Sequence, residues 1–173
     1  MELLPYETMP EQNRGSDPAA QESAPLRGWL ERSLQQMRDS GRLSQEYAGL
    51  IRLPAMEKFL RQDIAGRMRK AAGEGKLFRE QPFFMGVKAN ELEASYPATE
   101  QIIIQGVIDV YLEEEDGLVL LDYKTDRVSA GEELVARYQK QLELYARALT
   151  QIRGIPVKER LIYSFALDRT IAI

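Results

Sequence analysis

The sequence contains neither cysteine nor histidine. Without Cys there is no disulfide framework, thiolate metal site, iron–sulfur cluster or thiol nucleophile. Without His there is no Ser-His-Asp triad and no imidazole ligand. Any metal held by side chains must rest on carboxylates, which favours Mg²⁺ or Mn²⁺. No apolar run reaches 18 residues, so no membrane span is expected. The first 15 residues lack the basic start and apolar core of a signal peptide, so a cytoplasmic location is expected. Nothing matches Gly-x-x-x-x-Gly-Lys-Ser/Thr, so no ATP site is expected. Positive charge is the minority: 23 Lys and Arg stand against 27 Asp and Glu, a net charge of -4. That balance argues against unspecific coating of DNA and leaves room for a local basic groove.

The chain has 173 residues, 44% of them hydrophobic, enough for one packed domain. Residues 1–24 read as a polar lead-in, an irregular arm or linker broken by Pro5, Pro10, Gly15 and Pro18. Residues 25–173 read as the domain, with a helical part over 25–75 and a sheet core over 76–173. Leu26, Trp29, Leu30, Leu34 and Met37 recur at helical spacing up to Gly41. A short helix should start at Ser44. A further helix should run from Pro54 to Gly73 on the stripe Met56, Phe59, Leu60, Ile64 and Met68.

Beyond Gly75 the period changes. Leu77 to Val87 reads as a strand and Lys88 to Thr99 as a loop. Gln101 to Leu112 and Leu118 to Tyr123 read as strands joined by an Asp116-Gly117 hairpin turn. Ser129-Ala130-Gly131-Glu132 fits a capping box in which Glu132 reaches back to the helix start. The helix should run over 130–152 and end at Gly154. Two last strands, Val157–Phe165 and Thr170–Ile173, should turn at Asp168-Arg169. This order implies an α/β domain with one mixed central sheet.

Two carboxylates stand out. Asp109 lies inside an apolar strand, and Asp122 follows Leu118-Val119-Leu120-Leu121. A carboxylate there loses hydration and needs a partner. On paired strands the two repel unless a cation lies between them. Lys124 is two residues from Asp122 and therefore on the same face. Two acids and an ammonium in one place suit metal-assisted phosphodiester hydrolysis. An Asp-x-Lys triplet on a surface strand, or a lone Asp satisfied by hydrogen bonds at a sheet end, is the competing structural reading. Gln141 on the apolar helix stripe also asks for partners. Tyr138 and Tyr145 at helical spacing read first as core. Lys124, Arg127, Arg137 and Lys140 could line a strand groove. Arg147, with Glu143 four residues before it, and Arg153 at the helix end read as solvated helix charges. No aromatic ladder is visible, so contact with a strand should be sequence-neutral.

Gly106-Val107-Ile108-Asp109, Asp122-Tyr123-Lys124-Thr125, Gln141 and Tyr145 together resemble the motifs of the RecB-type PD-(D/E)XK nucleases. Gly117 to Arg127 is most similar to the C-terminal nuclease domain of AddA-type helicase–nuclease subunits. The resemblance covers roughly residues 54–173. It implies a restriction-endonuclease-like α/β fold, a mixed central sheet flanked by helices with an N-terminal helical segment. It implies a Mg²⁺- or Mn²⁺-dependent deoxyribonuclease, an exonuclease acting in double-strand break repair. Asp109, Asp122 and the Tyr123 carbonyl would hold the metal, and Lys124 would position or activate water. Gln141 and Tyr145 would place the strand or Lys124, and Glu80 resembles an upstream family position near the site. Implied partners are single-stranded DNA, helicase domains of the same polypeptide and an AddB-like subunit, in a bacterial cytoplasm. The family's metal-ligating His after an Arg-Gly element has no counterpart: Arg14-Gly15-Ser16 is present without a His. The chain is therefore expected to be an excised nuclease domain or a remnant. The alternative is a weak or inactive nuclease-fold module that docks a partner or binds DNA.

Overall fold

A computed structural model describes residues 1, 3–11 and 23–173. Its first part is helical: α1 (Ser23–Asp39), α2 (Gln45–Leu50), α3 (Leu53–Leu60) and α4 (Asp63–Gly73). Leu26, Trp29, Leu30 and Met37 give α1 one buried face, as spacing of three and four dictates. Ser44 caps α2 by accepting the Tyr47 N–H. The single helix expected over 54–73 is two. Gln62 adopts an extended conformation, φ -70° and ψ 150°, and its amide reaches the carbonyls of Lys58 and Asp168. The break turns α4 so that Ile64, Ala65, Met68 and Ala71 are all buried.

Residues 3–11 differ from a polar lead-in. They hold a 3-10 turn at Tyr6–Thr8, and Leu4, Tyr6 and Met9 lie within the core. Three side-chain donors tie them down: the Trp29 indole N–H to Thr8 Oγ1 at 3.1 Å, the Arg79 guanidinium to the Leu4 carbonyl at 2.6 Å, and the Arg69 guanidinium to Glu11 Oε1 at 3.0 Å. Arg14-Gly15-Ser16 lies outside the described residues.

The sheet has five strands: β1 (Leu77–Lys88), β2 (Gln101–Glu114), β3 (Gly117–Lys124), β4 (Val157–Ser164) and β5 (Arg169–Ala172), in spatial order 1-2-3-4-5. Neighbours are antiparallel except β3 and β4. That parallel pair needs a crossover, supplied by α6 (Gly131–Arg153). One helical turn, α5 (Ala89–Leu92), occupies part of the expected 88–99 loop. The helices α1, α3 and α4 cover the face carrying Val110, Leu112, Val119, Leu121 and Tyr163. Leu134, Leu142 and Leu149 of α6 cover the other, against Leu118, Leu120 and Ile162. Strand β3 thus reads as a continuous apolar run at 118–121 because both faces are buried, and β4 does so only in its second half, at Leu161, Ile162 and Tyr163. The expected α/β architecture, a mixed sheet flanked by helices with a helical N-terminal part, is the one observed. Among the described residues, no helix is long and apolar enough to cross a membrane.

Candidate active site

Strands β2 and β3 pair from Glu114↔Gly117 to Val110↔Leu121. The next positions in this register are Asp109 and Asp122, directly opposite each other. There the backbone ladder gives way to a side chain: Asp109 Oδ2 accepts the Tyr123 N–H at 2.9 Å. One carboxylate thus takes over a strand bond where the two strands part.

Asp122 is only 2% exposed. Its Oδ2 meets the Lys124 ammonium at 2.5 Å and finds no other polar partner among the described residues. Burial raises the Asp122 carboxyl above its ordinary value; Lys124 opposes the shift, and the charges of Asp109 and Asp126 add to it. A buried carboxylate with a raised proton affinity is common where a site has been built for chemistry.

The helix α6 completes the group. Gln141 Oε1 lies 3.5 Å from Lys124 Nζ. The Gln141 amide donates to the Tyr145 hydroxyl at 2.8 Å, one turn on. The Tyr145 ring packs edge-on against Phe83, 5.3 Å between centroids. Gly106 allows this approach, because a Cβ there would stand 2.9 Å from the Phe83 ring. Asp109, Asp122, Lys124, Gln141 and Tyr145 are therefore brought together. Glu80 lies level with Asp109 on β1, between the pairs Arg79↔Val110 and Gln81↔Ile108. It is exposed, and its φ of 50° puts a non-glycine residue in the left-handed region, a strained conformation that such sites tend to hold.

Two further residues belong here that sequence reading passed over. The Lys124 ammonium sits over the Tyr138 ring, 4.1 Å from its centroid. The Tyr138 hydroxyl donates to Asp126 Oδ1 at 2.9 Å, and Arg137 holds the same oxygen at 2.5 Å. Tyr138 stands three residues before Gln141 on one helix face, a spacing that could have flagged it. Its apolar stripe assigned it to the core instead.

The helix entry also differs in detail. Glu133, not Glu132, reaches back, accepting from the backbone N–H groups of Ser129 and Ala130 and from the Ser129 hydroxyl. Of the expected groove residues, Lys124 and Arg137 are spent on the carboxylates of Asp122 and Asp126, and the later cations pair as well. Arg147 pairs with Glu91 rather than Glu143, Arg153 with Glu113, and Lys158 with Glu114 and Asp116.

The oxygen donors suit a hard cation. Two opposed carboxylates and a strand carbonyl match the few protein ligands Mg²⁺ takes while it keeps several waters. Asp122 in particular is a buried anion in need of positive charge. No cluster of three His, Cys, Asp or Glu ligands occurs among the described residues, so the protein's share of a metal shell is small.

The PD-(D/E)XK nuclease superfamily model matches residues 7–169. An ATP-dependent helicase/nuclease subunit of Lachnoclostridium phytofermentans is 34% identical over 179 residues, covering 83% of this chain and 13% of that protein. The same-named protein of Clostridium botulinum is 40% identical over 135 residues, covering 76% and 10%. That of Thermoanaerobacter sp. is 38% identical over 141 residues, covering 79% and 11%. The chain thus matches only about a tenth to an eighth of the length of these relatives.

Proposed function

This chain belongs to the PD-(D/E)XK nuclease superfamily, and on that premise we propose that it hydrolyses phosphodiester bonds in DNA with a divalent metal. The observation that carries this reading is the opposition of Asp109 and Asp122 beside Lys124. Asp109, Asp122 and the Tyr123 carbonyl would hold Mg²⁺ or Mn²⁺. When bound, the cation polarises a phosphate and lowers the pKa of a coordinated water.

The chain's own residues do the rest. Asp122 holds the Lys124 ammonium beside the carboxylates. The Tyr138 face and the Gln141 amide fix the lysine from the α6 side. An ammonium held so stabilises negative charge developing on the phosphate, or orients the attacking water. Tyr145 keeps the Gln141 amide turned toward the lysine. Glu80, level with Asp109, is proposed as a further acid at the edge of the site. The names of the relatives support work alongside a helicase, and we propose double-strand break repair with an AddB-like partner as the setting.

The test is cleavage of labelled single-stranded DNA by the chain in Mg²⁺, Mn²⁺ or EDTA, with Asp109→Ala and Asp122→Ala as controls. Metal-dependent cleavage that both variants lose supports the reading. One observation favours the alternative of an inactive module: no third acidic or imidazole ligand joins the two carboxylates among the described residues. Wild-type chain that binds DNA and leaves it intact at high Mn²⁺ would decide for that alternative.

A further inference from the structure

We propose that Asp126 is a positioning residue of the site: through the hydroxyl of Tyr138 it fixes the ring on which the Lys124 ammonium rests, and so sets where that charge stands. The inference deepens the nuclease reading and rests on it for what the lysine does, though not for where the lysine is held. Lys124 Nζ has three N–H groups to place. It meets Asp122 Oδ2 at 2.5 Å, and Gln141 Oε1 stands off at 3.5 Å. Its remaining partner among the described residues is the face of the Tyr138 ring, 4.1 Å from the centroid. A ring face attracts a cation without accepting a conventional hydrogen bond, so an N–H stays free for a substrate oxygen. A metal ion held by Asp122 would compete with the ammonium for that carboxylate. The ring and the Gln141 amide would then be what keeps the lysine in place.

The ring is pinned at its far end. Asp126 follows Lys124 by two residues, on the chain between β3 and α6. Its two oxygens lie 2.9 and 3.0 Å from the Tyr138 hydroxyl. Arg137, the helix neighbour of Tyr138, holds the same carboxylate at 2.5 Å. One short stretch of backbone, 124–126, thus carries both the charge on the ring's face and the acceptor for its hydroxyl. Among the described residues no ion pair joins Asp126 to Lys124 directly, so the acid reaches the lysine by way of the ring. A hydroxyl that donates to an anion is polarised by it, and the ring face becomes a better seat for an ammonium. A side chain that merely filled the stripe of α6 would need neither contact. Tyr138 is only half-buried, and a leucine would serve that stripe as well.

Two measurements test this, one of them without any cleavage. In metal-free chain carrying ¹³C-labelled lysine, the ε-methylene of Lys124 should resonate upfield, shielded by the ring current of Tyr138. Its signal is assigned by its loss in Lys124→Arg. Tyr138→Leu should return it to the ordinary lysine position, and Asp126→Ala and Tyr138→Phe should each move it partway. In cleavage of labelled single-stranded DNA, Asp126→Ala and Tyr138→Phe should each lower kcat about tenfold and leave KM within about twofold, the scale of losing a group that orients a site residue. Combined, they should cost no more than either alone, because both break the same bond. These two variants keep the ring in its packing, and thermal unfolding confirms that they fold. A Lys124 signal at the ordinary position in the wild type, or one that ignores both variants, overturns the positioning role; so do an unchanged kcat and additive losses. The two readings fail separately. An upfield Lys124 signal that Asp126→Ala moves, in a chain that cleaves nothing, sinks the nuclease reading and keeps the positioning. Cleavage that needs Asp122, with kcat and the lysine signal untouched by Asp126→Ala, does the reverse.

Discussion

The two ends of the β2–β3 pair carry carboxylates whose proton affinities are displaced in opposite directions. At the hairpin end, Arg67 of α4 forms two bonds to Glu114 and two to Glu159, all at 2.8–2.9 Å. Lys158 adds a second cation to Glu114. The Arg67 guanidinium holds the Glu114 carboxyl down at about 2. At the far end Asp122 is buried with one ammonium for company, and its carboxyl is pushed up. The same strands thus present one set of acids that the fold satisfies and one that it leaves short of positive charge. The satisfied set contributes to stability. The unsatisfied set keeps its capacity for a cation or a substrate, as sites that trade stability for function do.

The strongest way to break this contrast is at the site. Asp122→Asn should lower metal-dependent cleavage at least about 100-fold, the scale of losing one electrostatic stabiliser. Arg67→Met, at the hairpin end, should leave the rate within about twofold. If both variants lost activity equally, the two ends would not be doing different work. In thermal unfolding the order reverses. Arg67→Met strands Glu159, leaves Glu114 with Lys158 alone and should cost about 2 kcal/mol, or ~4–8 °C for a chain of this size.

Acid sharpens the same contrast. A lowered carboxyl contributes stability above its unfolded value of 4.5, and the contribution disappears as pH falls through about 2. Stability should therefore hold from pH 7 to about 5 and then decline. After allowance for solvent screening, the Glu114 share is about 1–2 kcal/mol. Arg67→Met should flatten that part of the curve; an unaltered acid limb would show that the pair contributes nothing. The smallest effect is expected at the α6 entry. Glu133→Ala removes the reach-back to Ser129 and Ala130 and should lower the melting temperature by no more than ~2–4 °C. Cleavage should change little, because Gln141 and Tyr145 sit more than two turns further along the helix.

Much of this was legible in the residues. The switch of period at Gly75, the Asp116-Gly117 turn and the apolar runs of β2 and β3 set out the sheet. The spacing of Asp122 and Lys124 put both on one face, and Gln141 asked for a polar neighbour within an apolar stripe. What escaped depended on contacts distant in sequence. Nothing local to Leu4 and Tyr6 shows that Arg79 and Trp29 will fasten their segment into the core. The break at Gln62 depends on a carbonyl at Asp168. The choice of Glu91 over Glu143 by Arg147 depends on where α5 lies against α6. Tyr138 was hidden for another reason: one ring serves at once as packing and as the platform for a cation, and periodicity registers only the packing.

The crossover through α6 has a consequence in time. Strands β1, β2 and β3 join by contacts close in sequence, while β3 and β4 meet only after a 23-residue helix has been laid across the sheet. Contacts of short separation form sooner, because less chain entropy is lost in closing them. During folding, Asp109 and Asp122 should face each other before Gln141, Tyr145 and Tyr138 arrive to hold Lys124. The site is then assembled in two stages, acids first and helix second. Pulse-labelled hydrogen exchange should show it as protection of β2 and β3 ahead of β4, and simultaneous protection of all three would contradict it.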